Sequence, residues 1–213
     1  MNPTVLLVLA HPDRRSFGAA LADAYAAGVR ESGCNVELLH LPAMVFDATP
    51  AGRPPELEPD LVKARQSIQN AQHIVLVYPT WLGAMPARLK GFFERAFGSG
   101  FAFNFKPDTL VPEALLGGRS ADILVTMDTP PWIYRWVLGA PGHRLVRHAI
   151  LGPSGIRPIK IMTFGPLRNS TEHRRGKWLA RTQARAASIG RRLAGSLGAT
   201  TRIDMTTQGT ETR

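Results

Sequence analysis

The chain of 213 residues carries 26 Lys and Arg against 16 Asp and Glu, and 44% of it is hydrophobic. That is long enough for one domain with a substantial core, and no apolar run approaches the ~20 residues that cross a bilayer. A single cysteine, Cys34, excludes an internal disulfide and a Cys-rich metal site.

The opening Met1-Asn2-Pro3-Thr4 lacks the basic start and small-residue cleavage site of a secretory signal, so the expected compartment is the cytoplasm. The formal charge of +10 is uneven. Residues 135–192 hold 13 Lys and Arg against Glu172 alone, whereas residues 1–134 carry a net −2. The basic residues spread over several expected elements without interleaved aromatics, which reads first as a solvated basic face. Contact with an acidic partner or an anionic membrane surface stays open. Nucleic acid is not expected, because no recognition-helix, zinc-finger or RNP-like motif accompanies the charge.

In chain order, Thr4–Ala10 (TVLLVLA) is a continuous apolar run of the kind that forms a strand buried on both faces. Ser16 is the N-cap of a helix reaching about Ser32, with Phe17, Leu21, Ala24, Tyr25 and Gly28 on one face, and Gly33 stops it. Asn35–Leu41 alternates and suits an edge strand. A helix over Pro59–Ala71 precedes a second buried strand, His73–Tyr78, and Pro86 starts a helix whose Leu89, Phe92, Phe93, Ala96 and Phe97 point inward. Ala121–Met127 and Pro158–Phe164 are the remaining strands. His143–Leu151 and Ser170–Leu197 read as helices, with Asn169-Ser170-Thr171 as cap residues. Residues 1–197 are one domain, and the Thr-rich residues 198–213 form a flexible tail.

Alternating strands and helices make an α/β doubly wound parallel sheet with helices on both faces, and five strands give the order 2-1-3-4-5. Ligands then sit outside the carboxyl ends of the strands, which directs attention to three loops. In the first, His11–Ser16, a free helix N-terminus with the Ser16 hydroxyl, His11 and the charge of Arg14 or Arg15 suits a phosphate, and a plain N-cap is the alternative. The second, Tyr78–Pro86 (YPTWLGAMP), holds Thr80, Trp81, Leu82 and Gly83 rigidly between prolines. Trp81 there can pack on a planar ring or simply cover the core. The third, Asp128–Gly142, is long and rich in Trp, Pro and Gly, and fits an aromatic lid or a partner surface.

AHPDRRSFGAAL, YPTWLGAMPARLKGFFERAF, and TMDTP with the later PGH resemble the flavin-dependent NAD(P)H:quinone oxidoreductase family of the flavodoxin-like fold, over about residues 4 to 190. The resemblance implies FMN or FAD as cofactor, NAD(P)H as co-substrate and a quinone-like acceptor. It matches His11, Ser16 and Phe17 to the flavin phosphate loop. Pro79, Thr80, Trp81, Leu82 and Gly83 match the isoalloxazine loop. Gly18 stands where the family often has Asn. Met127-Asp128-Thr129-Pro130-Pro131 replaces Thr-Thr-Gly-Gly, so donors to the flavin edge there come from Asp128 and Thr129, since proline has no N–H. Tyr134 and His143 lie where the family places a Tyr/His pair near flavin N1 and O2, where they would stabilise charge on the reduced ring.

A flavin carries out hydride transfer itself, which accounts for a chain without a catalytic triad, paired carboxylates or metal-ligand spacing. The implied reaction is two-step, with NAD(P)H and acceptor using one pocket in turn. The alternative is a regulatory flavoprotein, such as the accessory subunits of potassium-efflux systems among relatives. The family is usually dimeric, and Phe101, Phe103 and Phe105 alternate in a way that suits either a subunit interface or the chain's own core.

Overall fold

The computed structural model describes residues 2–49, 56–106, 109 and 111–208, with side chains through residue 196. Its elements are β1 (Thr4–Leu9), α1 (Phe17–Arg30), β2 (Asn35–His40), α2 (Pro59–Asn70), β3 (His73–Pro79) and α3 (Ala87–Ala96). A two-residue ladder, β4 (Phe103–Asn104) with β5 (Glu113–Ala114), precedes β6 (Ser120–Thr126), α4 (Pro141–Arg144), β7 (Ile159–Phe164) and α5 (Glu172–Gln208).

The main sheet runs β2-β1-β3-β6-β7, all parallel, which is the expected 2-1-3-4-5 order counted over its five strands. Every residue of β3 and β6 is buried, as continuous apolar strands in a two-sided sheet should be. β2 is half-exposed along its length, as suits an edge. Alternate side chains divide between two cores. Leu6, Val8, Ile74, Leu76, Ile123 and Val125 meet α2 and α3, with Leu89, Phe92, Phe93, Ala96 and Phe97 as the α3 contribution. Val5, Leu7, Leu9, Val75, Val77 and Leu124 meet α1 and α5. At Gly28, α1 runs so close to α5 that a Cβ would lie 2.2 Å from the Gln183 carbonyl oxygen, so only glycine fits that crossing.

Four expectations are corrected. Pro79 does extend β3, pairing with Thr126. Thr80 N–H donates to Thr126 O (2.7 Å) on the β6 side, so the missing proline N–H falls on the β1 side, beyond the last bond there, Ala10 N–H to Val77 O. The third loop is not irregular: Pro131 opens a short helical stretch that continues as wide π-type turns over Ile133–Val137. The helix expected over His143–Leu151 starts at Pro141 as α4 and continues in wide turns over Leu145–Leu151. The last helix does not stop at Leu197 but runs on to Gln208. Gly198 costs a helix about 1 kcal/mol without ending it, and no proline follows. Residues 209–213 lie outside the described part.

Phe101 belongs to the chain's own core, Phe103 packs at its margin, and Phe105 is exposed. No helix among the described residues is long and apolar enough to cross a membrane.

Candidate functional site at the carboxyl end of the sheet

The first loop delivers α1 to the end of β1. Ser16 has extended backbone, and its Oγ accepts from Ala19 N–H (3.2 Å). The N–H groups of Phe17 and Gly18 lie in the first turn, where an α-helix supplies no acceptor, beside the positive end of the helix dipole. A Cβ on Gly18 would make only ordinary contacts, with Ser16 Oγ (3.6 Å), Val77 (3.8 Å) and His11 Cβ (4.0 Å). Glycine is therefore not required there by packing.

His11 turns back on its own loop. Its Nδ1 lies 3.0 Å from Asp13 N and 3.1 Å from Asp13 O, so the ring is held by the backbone of its own loop through that nitrogen. His40, at the end of β2, braces the same loop: its Nδ1 accepts from Arg14 Nε (3.3 Å), which leaves Nε2–H to donate to His11 O (3.2 Å). Asp13 is exposed, and Arg15 N–H donating to its Oδ1 (2.8 Å) lowers its pKa.

The second loop is a tight turn. Trp81 and Ala84 exchange both backbone bonds (2.9 and 3.0 Å), and the two residues between them, Leu82 and Gly83, both have positive φ, 48° and 81°. Two positive φ values are the requirement of a type I′ turn, which glycine meets and leucine resists. Leu82 is fully exposed (108%) and Trp81 half-exposed (49%), so neither serves the core. A strained, unburied leucine beside an unburied tryptophan marks a surface shaped for contact. Trp81 meets His11 edge-on, ring centroids 6.3 Å apart, and thereby joins the first two loops.

The third segment is latched to this turn. Tyr134 Oη donates to Gly83 O (2.8 Å) and accepts from Gly142 N–H (2.9 Å), and that N–H also reaches Gly83 O (3.2 Å). The hydroxyl is thus fully used, and Tyr134 is 2% exposed. Burial raises its pKa. In this arrangement the Tyr134 hydroxyl ties the third segment to the turn. His143 packs edge-on against Tyr134 (4.9 Å), and burial, with Arg147 and Arg135 nearby, depresses its pKa to about 4.

The structure thus brings the first two loops together at the carboxyl end of the sheet, with His11, Ser16 and Gly18 on one side and Trp81, Leu82 and Gly83 on the other side of the mouth between them. Phe17 contributes backbone there, but its ring packs at a tilt against Trp178 of α5 (centroids 5.8 Å apart). Pro79 closes β3, and the Thr80 N–H is taken up by Thr126 O of β6. Asp128 faces Arg168, accepting from Arg168 N–H (2.8 Å) with its other oxygen 3.7 Å from the guanidinium. The supports supplied by His40, Arg168 and the Tyr134 hydroxyl were not anticipated. They are contacts between residues far apart in the chain, and no local spacing announces them.

A family model described as flavodoxin-like fold matches residues 3–187. The chain belongs to that family. Among its relatives, an uncharacterized NAD(P)H oxidoreductase of Haemophilus influenzae is 36% identical over 173 residues, covering 76% of this chain and 83% of that one. NAD(P)H dehydrogenase (quinone) 1 of Cavia porcellus is 32% identical over 124 residues, 47% of this chain and 45% of the relative, so the match spans about half of that protein. An FMN-dependent NADH:quinone oxidoreductase of Bordetella avium is 30% identical over 138 residues, covering 57% and 68%. Among solved structures, Smu.1420 from Streptococcus mutans superposes with a TM-score of 0.73 at 27% identity, covering 87% of this chain and 99% of that one.

Proposed function

We propose that the chain is a flavin-dependent NAD(P)H oxidoreductase that reduces a quinone-like aromatic acceptor, with FMN as its flavin. The observation that carries this is the mouth itself. A helix N-terminus with unused N–H groups lies on one side, and an exposed indole on a strained, latched turn lies on the other. The first suits a phosphate and the second a flat ring. The relative from Bordetella avium, named FMN-dependent, supports FMN over FAD.

When bound, the flavin supplies hydride transfer between nicotinamide and acceptor. The protein supplies position and environment. The Phe17 and Gly18 N–H groups, with the His11 ring beside them, would hold the phosphate at the helix end. Trp81, Leu82 and the backbone of Gly83 present a rigid edge and face to the ring, and Tyr134 keeps that turn in place through Gly83 O. His143 acts as a packing support behind Tyr134. With a pKa near 4 it stays neutral at neutral pH and adds no charge to the mouth. Asp128 and Thr129 line the β6 side, where Arg168 steadies Asp128.

Reductant and acceptor use this one open mouth in turn, which predicts ping-pong kinetics. Exposed Trp132, Trp136, Val137 and Leu138 lie on the segment tied to the turn and provide the contact for a second copy in a homodimer. The test is initial-rate analysis of NAD(P)H oxidation with a benzoquinone. Parallel reciprocal plots are expected. Intersecting plots contradict the shared mouth, and FMN-loaded protein without turnover contradicts the enzymatic reading.

A further inference from the structure

A second cavity, of about 430 Å³, opens on the β7 side of the third segment. Its floor is the carboxyl half of β7, and its walls carry Arg135, Arg144, Arg147 and Arg181 together with His143 and His148. No Asp or Glu lines it. Among the described residues none of these four arginines enters a salt bridge. Arg135 lies over the Trp136 ring and Arg147 gives one N–H to Ile159 O (3.2 Å). The carboxylates that would ordinarily balance such a group are spent elsewhere: Asp122 on Arg185, Glu58 on Arg95, Asp128 on Arg168.

Four guanidinium groups on three elements, facing one concavity without a counter-charge, repel one another and cost the folded state electrostatic energy. The arrangement makes chemical sense when an anion joins them. Guanidinium forks match the oxygens of phosphate in pairs, and a cavity of this size admits more than one phosphate group. A further observation points the same way. His143 Nε2 is buried and has no protein hydrogen-bond partner, one of two such buried side-chain atoms among the described residues. A buried ring nitrogen without a partner is unmet hydrogen-bonding capacity in a residue of this same wall.

We infer that this arginine-lined cavity is a binding site for a phosphate-bearing anion of about pyrophosphate size, adjoining the mouth but distinct from it. The anion's source is either the phosphates of the dinucleotide reductant, a reading that rests on the proposed function, or a free phosphate compound. The wall formed by Ala140 and His143 is continuous with the latch on Gly83, so a ligand here sits next to the segment that holds the turn.

The test uses the full chain and pyrophosphate as probe, followed by titration calorimetry at constant ionic strength. The inference predicts one saturable site, weakened about tenfold or more in Arg144→Gln/Arg181→Gln, a change of about 1.4 kcal/mol or more. The thermal midpoint of that variant is equal to or above the parent's, as the mutual repulsion is relieved, and its FMN affinity stays as in the parent. Absence of saturable binding, or equal affinity in the variant, overturns the site. This arm needs no flavin and no turnover, so it stands or falls apart from the enzymatic reading. A kinetic arm then separates the sources. If the dinucleotide's phosphates dock here, the variant's KM for NADPH rises about tenfold with kcat unchanged, and pyrophosphate competes with NADPH. If KM is unchanged while pyrophosphate binding is lost, the natural ligand is a free phosphate compound.

Discussion

Strand β3 begins and ends in polar clusters of opposite character. At its amino end His73 is fully buried, its Nε2 3.0 Å from Tyr25 Oη and its Nδ1 2.7 Å from Ser120 Oγ. Tyr25 Oη donates to Asp122 Oδ2 (3.0 Å), and Arg185 grips both oxygens of that carboxylate (2.8 and 2.9 Å). Every polar group there has a partner inside the protein. At the carboxyl end, past Pro79, the chain emerges as Trp81 and Leu82 with apolar surface in the open and helix N–H groups unused. The closed cluster ties α1, β3, β6 and α5 together, and it is the place to look for stability. The open one leaves binding capacity unspent, and it is the place to look for function.

The largest effect belongs to the closed end. Asp122→Ala leaves Arg185 and Tyr25 without their acceptor, and should cost about 3–5 kcal/mol in urea unfolding while FMN affinity of the folded protein holds. An unchanged stability would break the distinction. Acid acts on the same cluster. Burial depresses the His73 pKa to about 4 from an ordinary 6.5. As pH falls below 6.5 the unfolded chain therefore takes up a proton that the folded chain refuses. Stability is full above that pH and declines by about 3 kcal/mol as pH falls to 4. Urea midpoints across that range measure it, and a flat profile contradicts the sealed histidine. His143 adds to the decline with the same sign.

At the open end the order of effects reverses. Tyr134→Phe removes the donor to Gly83 O and the acceptor for Gly142 N–H. The expected loss of stability is about 1–2 kcal/mol, with a drop in FMN affinity of about tenfold as the turn loosens. Fluorescence titration of FMN reads the second effect. Leu82→Asn is the smallest and most diagnostic change. Asparagine tolerates positive φ and no buried surface is lost, so stability should rise by roughly 0.5–1 kcal/mol. Acceptor KM should rise with it, because the exposed leucine face is gone. A variant that is both more stable and equally active would show that the strain at Leu82 serves nothing.

Much of this was legible in the sequence because burial on both faces leaves continuous apolar runs, and β1, β3 and β6 carry them. The α3 face was legible through its phenylalanine spacing, and the first two loops through Ser16 and the paired prolines. The third segment departs from the loop its sequence suggests, for a physical reason. Its Pro130, Pro131, Gly139, Pro141 and Gly142 resemble loop chemistry, and its apolar residues give no inward face, since Trp132, Trp136, Val137 and Leu138 are exposed and only Tyr134 is buried. A helix without a buried stripe leaves no periodicity to read. Tyr134 illustrates the deeper limit. The resemblance marks its position, but a hydroxyl's partners are set by tertiary contact, and here they are Gly83 and Gly142. The same holds for His73, which shows nothing in sequence of the four-residue network it joins.

The proposed function stands on a flavin held in the mouth between Ser16 and Trp81. Equilibrium titration of purified flavin-free protein with FMN, followed by flavin fluorescence and visible absorbance, tests it most directly. The prediction is one FMN per chain with a perturbed visible spectrum, weakened about tenfold by Trp81→Ala, a substitution that removes little buried surface. A protein that stays colourless and leaves FMN fluorescence unchanged would contradict it.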